Sequence, residues 1–371
     1  MTECVLSVDI GTTSLKAGLI SEEGEVVFIL KKAFFNENSR FVAVKWLHAL
    51  KSILAQAEKN NPSVFKENHL VAISVSGNGP TLVSSGGLTL RWNENYKLDY
   101  SLCAHSLFVP KLVAFKHLYP KEYKRADFLF SGPEYFIYEL TGSAVTLLPQ
   151  KAFISAYWTD ELLQANDILK EKLPPFIYPA SACGNLKKDV ADFLGLQQGL
   201  PLFCGGPDFV AALIGTNTLS PSCLCDRSGS SEGLNLCIEN QLFYDKLRTL
   251  PSPVENLWNI SYLIPQSSKI KEEERLEKIQ EGLEELKSFC KENNILFPDK
   301  MMVTGGQTRN KGYLQRKANK LKMKIALANC SDAELLGDAC VALAGLGRYS
   351  NIREAAAKII KESKVYLPEQ D

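Results

Sequence analysis

A hairpin near the start of the chain is the strongest constraint on its fold. Val5 to Ile10 reads as a strand, Gly11 to Ser14 as a turn of glycine and hydroxyl residues, and Ala17 to Ile20 as a second strand. A Ser21-Glu22-Glu23-Gly24 turn then leads into Val26 to Leu30, which completes a three-strand meander. Such a sheet has to be covered. Val44, Leu47, Leu50, Leu54 and Ala55 recur at helical spacing, and after a loop at Asn60 to Asn68 the run Leu70 to Val75 reads as a buried strand. A helix followed by a buried strand predicts a crossover back into the same sheet.

The 371 residues suffice for two domains at roughly 150 residues each. Lys and Arg number 42 and so do Asp and Glu, so no global field favours nucleic acid or an anionic membrane surface. No uninterrupted apolar stretch approaches the roughly 18 residues of a membrane span. Met1-Thr2-Glu3 passes directly into the first strand without the basic start and cleavage site of a signal peptide, and a cytoplasmic location is expected. The ten cysteines are scattered through apolar runs, and only Cys223 and Cys225 lie close together, at a spacing poor for zinc. They are expected to be structural thiols. The four histidines have no metal-site spacing.

The second half restarts the opening pattern. Beyond Ser220-Pro221-Ser222, Cys223 to Asp226 and Leu234 to Ile238 flank the small-residue turn Ser228-Gly229-Ser230-Ser231. This places the domain boundary there, giving domains over 1–220 and 221–371. Leu257 to Leu263 then reads as a strand, Lys269 to Asn293 as a charged amphipathic helix with a solvated face, and Lys300 to Val303 as a strand ending at Thr304-Gly305-Gly306-Gln307. The strand Lys324 to Leu327 and the helix Ala333 to Leu346 follow.

The chemistry begins at Asp9-Ile10-Gly11-Thr12-Thr13-Ser14-Leu15-Lys16. Glycine in the turn permits close backbone approach, and successive N–H groups and hydroxyls can surround a phosphate. Asp9, at the end of the first strand, is a candidate ligand for Mg²⁺, directly or through water. A P-loop is excluded, because a second strand follows where that motif requires a helix. The bland reading is an ordinary hairpin turn.

This octapeptide resembles the first phosphate motif of the actin-like ATPase superfamily, and specifically of its FGGY carbohydrate kinases of the xylulokinase type. Further landmarks agree in order. Ser76-Gly77-Asn78-Gly79-Pro80-Thr81 resembles the loop that touches the sugar, and Leu140-Thr141-Gly142 resembles a common helix end. Gly205-Gly206-Pro207-Asp208 is similar to the Gly-Gly-x-Asp segment, and Thr304 to Asn310 resembles the adenosine motif. The resemblance implies two actin-like (ribonuclease H-like) α/β domains, each a mixed twisted sheet flanked by helices, with the active site in the cleft between them. It implies ATP and Mg²⁺ as cofactors, Asp208 as catalytic base and Asp9 at the metal. Gly11, Thr12, Thr13, Lys16, Gly229, Ser230, Ser231, Gly305, Gly306 and Asn310 would bind the nucleotide, and Asn78, Gly79, Trp92 and Asp208 the acceptor.

Physical logic fits these roles. A sugar hydroxyl is a poor nucleophile near neutral pH, so phosphoryl transfer profits from a carboxylate that accepts its proton. Asp208 has an alternative job as the cap of the helix beginning at Phe209. Ser228 to Ser231 has one as a flexible loop, and serine stands there where the family usually has threonine. Gly305 and Gly306 lack side chains where adenine or ribose lies against backbone, ahead of a helix N-terminus that favours negative charge. Arg91-Trp92-Asn93-Glu94 departs from the family's Trp-x-Asp-x-Arg pattern, and Trp92 and Trp46 each have a packing role as the alternative.

The chain is shorter than typical relatives, with gaps after Gly87 and between Leu236 and Met301, and the second gap removes the Gly-Glu-Arg and Phe-Gly-Gly-Tyr-like landmarks. Three function classes stand: an active kinase of a small sugar or polyol, with a pentulose such as xylulose foremost; a catalytically silent ATP- or sugar-binding protein; and an actin-like assembly ATPase. The partner expected is a small sugar or polyol, with neither nucleic acid nor membrane, and a homodimer is left open.

Overall fold

The opening alternation folds as a hairpin because its inward residues have a helix to pack against. In the computed structural model, which describes residues 2–34, 40–94, 96–103, 105–229 and 231–369, β1 (Thr2–Ile10) pairs antiparallel with β2 (Ser14–Ser21), and β2 with β3 (Val26–Ala33). Helix α1 (Trp46–Asn60) covers them with Ala49, Leu50, Ile53, Leu54 and Ala57, the buried stripe of an amphipathic helix. The expected loop at 60–68 is partly ordered: Val64–Glu67 makes a helical turn, and Asn68 already belongs to β4 (Asn68–Gly77), which returns parallel to β1.

Helix α2 (Gly132–Thr141) stops at Gly142, whose φ of 79° is the left-handed cap glycine favours. The chain re-enters the sheet through β5 (Ala182–Asn185) and β6 (Pro201–Pro207) and leaves it as α3 (Asp208–Gly215). The finished sheet has the order β5-β6-β4-β1-β2-β3. Beside it, a smaller three-stranded sheet and the segment 96–176 form their own apolar cluster around Phe108, Phe115, Phe153 and Trp158.

A second sheet is built by β7 (Leu224–Ser228), β8 (Glu232–Ile238), β9 (Arg248–Pro251), β10 (Trp258–Ile264), β11 (Lys300–Gly305), β12 (Lys324–Ala328) and β13 (Glu362–Tyr366). Its order is β9-β10-β8-β7-β11-β12-β13. Helix α4 (Glu272–Glu292) lays Ile279, Leu283, Leu286 and Phe289 on this sheet and turns its glutamates outward, and α5 (Lys311–Leu321) connects β11 to β12.

The two sheets share one topology. In the first, β6, β4 and β1 run parallel and β1 continues antiparallel into β2 and β3. In the second, β12, β11 and β7 run parallel and β7 continues antiparallel into β8 and β10. Strand for strand, each hairpin turn occupies the same place.

Helix α6 (Ala333–Gly345) joins the halves. It follows the second sheet in the chain but packs on α3 and across β1, β4 and β6. Two glycines permit the crossing: a Cβ on Gly215 would lie 1.7 Å from the Ala333 carbonyl oxygen, and one on Gly337 would lie 2.0 Å from that of Ala211. All ten cysteines are free thiols and nine are buried. Among the described residues no helix is long and apolar enough to cross a membrane.

Candidate active site

The first hairpin turn is tight because the Gly11 N–H donates to the Ser14 carbonyl at 2.9 Å, and a Cβ on Gly11 would sit 3.0 Å from that oxygen. The register sets Asp9 opposite Lys16, and the Lys16 ammonium lies 3.5 Å from Asp9 Oδ2 and 2.8 Å from Asp332 Oδ1. Asp9 Oδ1 is buried without a hydrogen-bond partner. Burial pushes the Asp9 carboxyl up to about 7 against the opposing pull of Lys16. Asp332 precedes α6 yet makes no capping bond; its carboxylate turns to Lys16 and, at 3.5 Å, to Arg309. Glu334, the second residue of the helix, is half-buried nearby, and desolvation raises its carboxyl also.

Asp208 is the first residue of α3, not its cap, and the cap position Pro207 offers no side-chain bond. The Asp208 carboxylate is one-third exposed, and its Oδ2 lies 3.7 Å from Arg227 Nη1, which reaches across from β7. The two glycines before it have separate reasons. A Cβ on Gly205 would lie 1.8 Å from Asp338 Oδ1, so Gly205 makes room for a carboxyl buried from α6 that accepts from Ser76 Oγ at 2.8 Å. Gly206 has φ of 78°, and its Cβ would lie 2.5 Å from the Leu147 side chain. Strand β6 is thereby held so that its end delivers Asp208 to the cleft.

The loop after β4 closes one side. Asn78 Nδ2 donates to the Ile10 carbonyl at 3.1 Å, Thr81 Oγ1 donates to Asn78 Oδ1 at 2.5 Å, and the Trp92 backbone N–H donates to Thr81 Oγ1 at 3.2 Å. The Trp92 indole N–H donates to Thr12 Oγ1 at 2.9 Å, tying this loop to the first hairpin. Gly79 faces Pro207 at van der Waals distance, 3.7 Å from its hypothetical Cβ, which brings Asn78 and Gly79 beside Asp208. Between them a void of about 10 Å³ is lined by Gly11, Thr12, Trp46, Asn78, Thr81 and Arg91. Trp46 packs edge-on against Tyr135 and Phe136, and its buried indole N–H has no hydrogen-bond partner.

On the opposite wall, Gly229 N–H donates to the Ser231 carbonyl at 3.1 Å, and Ser231 Oγ accepts from the Gln266 N–H at 3.2 Å. Ser230 lies outside the described residues. Beneath the turn, Lys317 is fully buried and paired with Asp226 and with Glu232, the latter at 3.3 Å. Glu232 also accepts from Ser228 Oγ at 3.0 Å and Gln307 Nε2 at 3.4 Å. This closed set fixes both strands of the second hairpin. Gly305, with φ of 94°, is glycine because a Cβ would lie 1.9 Å from the Ser228 carbonyl oxygen, whereas a Cβ on Gly306 would meet nothing within 4 Å. Asn310 caps α5, accepting from the Tyr313 N–H at 3.1 Å.

The structure therefore gathers Asp9, Gly11, Thr12, Lys16, Asn78, Gly79, Trp92 and Asp208 on one wall, and Gly229, Ser231, Gly305 and Gly306 on the strand ends of the other. Sequence reading missed Arg227, Asp332, Glu334 and Asp338, and the Asp226–Lys317–Glu232 set. Asp332 and Glu334 flank the start of a helix and Asp338 interrupts an apolar run, so none of them carries a local signal. Lys317 carried no signal in a helix rich in lysine. Among the described residues no three His, Cys, Asp or Glu side chains cluster as a metal site. A divalent cation here would therefore rest on Asp9 and its unpartnered oxygen, with the remaining ligands drawn from nucleotide and water.

Residues 92–215 match the N-terminal domain of the FGGY family of carbohydrate kinases. The chain is 22% identical to a xylulose kinase of Staphylococcus epidermidis over 275 residues, 66% of this chain and 55% of that protein. It is 24% identical to the xylulose kinase of Staphylococcus xylosus over 280 residues, 65% of this chain and 56% of that one. The chain thus spans about half the length of the curated relatives it matches. Its fold is that of ligand-bound xylulose kinase from Lactobacillus acidophilus, with a TM-score of 0.79 at 15% identity over 99% of this chain and 94% of that one. It is equally that of Plasmodium falciparum glycerol kinase with ADP, with a TM-score of 0.79 at 14% identity over 100% and 95%. Residues 92–215 thus carry the match to the FGGY carbohydrate kinases, and the chain as a whole has the fold of xylulose and glycerol kinases.

Proposed function

We propose that the chain is an ATP-dependent kinase of a small sugar or polyol, with a pentulose such as xylulose as the first acceptor to test. The observation that carries this reading is the meeting of Asp208 with Arg227 between the two hairpin turns, where a carboxylate and a guanidinium from opposite walls face each other at 3.7 Å. The acceptor hydroxyl would lie beside Asn78, Gly79 and Trp92, within reach of Asp208, which takes its proton as the oxygen attacks phosphorus. Backbone N–H groups of the turns at Gly11–Thr13 and Gly229–Ser231 would hold the phosphates. The open space over Gly306 leaves room for ribose or adenine against backbone.

The unpartnered oxygen of Asp9 fits Mg²⁺, and such an ion, when bound, would neutralise charge on the phosphates. Lys16 stays tethered to Asp332 and so remains aimed along the hairpin instead of sweeping the cleft. A sugar-binding half over 1–220 and a nucleotide-binding half over 221–371 would hinge near Ser220. Such a reaction, drawing on ATP, would run in the cytoplasm.

The test is ADP release measured with MgATP against pentuloses, pentitols, hexoses and glycerol. Turnover that depends on one acceptor and vanishes in Asp208→Asn, with nucleotide affinity kept, supports the proposal. Nucleotide binding without turnover on any acceptor overturns it in favour of a silent binding protein.

A further inference from the structure

The shared topology makes residues of the two halves comparable. Asp9 stands one residue before the pair Ile10–Gly77 of β1 and β4, and Arg227 stands one residue before the pair Ser228–Gly305 of β7 and β11. Each pair carries a glycine on the strand beside the hairpin. Arg227 therefore occupies in the second hairpin the place that Asp9 occupies in the first, so the cleft presents a carboxylate on one wall and a guanidinium on the other. Alternation along β7 explains why Arg227 is available. Asp226 points into the buried set with Lys317, so Arg227 must point the opposite way, toward the first half. Its cross-strand neighbour on β8 is Gly233, which leaves the guanidinium unobstructed on that side.

The contact with Asp208 is loose. At 3.7 Å it is a coulombic pair without a close hydrogen bond, and the side chains are 21% and 33% exposed. While the guanidinium stands against Asp208 it faces the carboxylate oxygen that an acceptor hydroxyl would have to reach. A terminal phosphoryl group offers the guanidinium more charge and a pair of oxygens for a bidentate contact.

We propose that Arg227 is a phosphoryl-binding residue held in waiting on Asp208: a bound triphosphate draws the guanidinium to its terminal phosphoryl group, and Asp208 is thereby released for the acceptor. This rests on the kinase reading above. In the transfer itself the acceptor O–H proton passes to Asp208, the acceptor oxygen bonds to phosphorus, and the bond from phosphorus to the ADP oxygen breaks. Arg227 keeps its protons throughout and only follows the charge.

The test is calorimetric binding to the full chain, with Mg²⁺, of the β,γ-imido analogue of ATP and of ADP. Arg227→Met is expected to weaken the analogue by about tenfold or more, the value of one charge-assisted contact, and to leave ADP unchanged. Arg227→Lys should restore part of the loss. Asp208→Asn, which removes the competing carboxylate, should tighten the analogue in the native background and have no effect on it in Arg227→Met. An unchanged ratio of analogue to ADP affinity in Arg227→Met overturns the assignment of Arg227 while leaving the kinase reading intact. Failure of the native chain to bind either nucleotide overturns both.

Discussion

The Lys16 ammonium lies 2.8 Å from Asp332 Oδ1, linking the first hairpin to the residue that precedes α6. The pair is shielded but not sealed, with side-chain exposures of 25% and 8%. Its worth therefore falls between that of an exposed pair and that of a fully buried one. Asp332→Asn is expected to cost about 2 kcal/mol of unfolding free energy in urea, against roughly 0–1 for surface pairs and 3–5 for broken buried ones. An unaltered urea midpoint would show that Asp9 alone suffices to hold Lys16.

Glu134 sets a pH dependence that is separable from the cleft. Its carboxylate accepts from the Ser131 N–H at 3.1 Å and the Leu147 N–H at 2.7 Å, so it pins the Leu147 segment against Gly206. Burial pushes the carboxyl from 4.5 up to about 7 in spite of those bonds. A raised carboxyl means that the folded state binds the proton more tightly than the unfolded chain. The resulting stability is complete below about pH 4.5 and is lost as pH rises to about 7; at roughly 1.4 kcal/mol per unit it amounts to about 3 kcal/mol. Measured from pH 4.5 to 7.5, the unfolding free energy of the native protein should fall relative to that of Glu134→Gln as pH rises. Parallel curves would remove Glu134 as the source.

The hairpins and the order of the motifs were legible in the sequence because alternation and small-residue turns are local signals. Asp208 was legible for the same reason, standing two residues beyond a glycine pair. The cause of those glycines was not. Gly205 answers to Asp338 and Gly206 to Leu147, both brought in by tertiary packing from distant segments. The same holds for Gly305: it read as a surface for adenine, yet its hypothetical Cβ points at the Ser228 carbonyl, and the open side belongs to Gly306. Arg227 was invisible because nothing local distinguishes the outward from the inward residue of a buried strand until its partner strands are known.

The crossing of α3 and α6 yields a prediction about the joint between the halves. Gly337 faces the Ala211 carbonyl so closely that a methyl group would lie 2.0 Å from it, and backbone cannot yield as a flexible side chain does. Gly337→Ala must push the helices apart and with them Asp332, which α6 carries to Lys16. A loss of about 1–3 kcal/mol or more is expected, together with weakened nucleotide binding, read by thermal unfolding and calorimetry on the same preparation. Native stability in this variant would mean that the crossing relaxes at no cost.

Gly306 offers the opposite test, because it separates binding from folding. Its neighbour Gly305 cannot carry a side chain without striking β7, but a methyl group on Gly306 would enter open space at the end of β11, and φ there is not positive. Gly306→Ala should therefore leave the unfolding temperature within about 2 °C of native, the scale of a few tenths of a kcal/mol in a protein of this size. If ribose or adenine lies against that backbone, the same methyl group stands where the ligand must be, and affinity for ATP and ADP should fall together by about tenfold or more, since the contact excludes both equally. A fall confined to ATP would move the contact from the nucleoside to the terminal phosphate, and unchanged affinity for both would place the nucleoside elsewhere in the cleft.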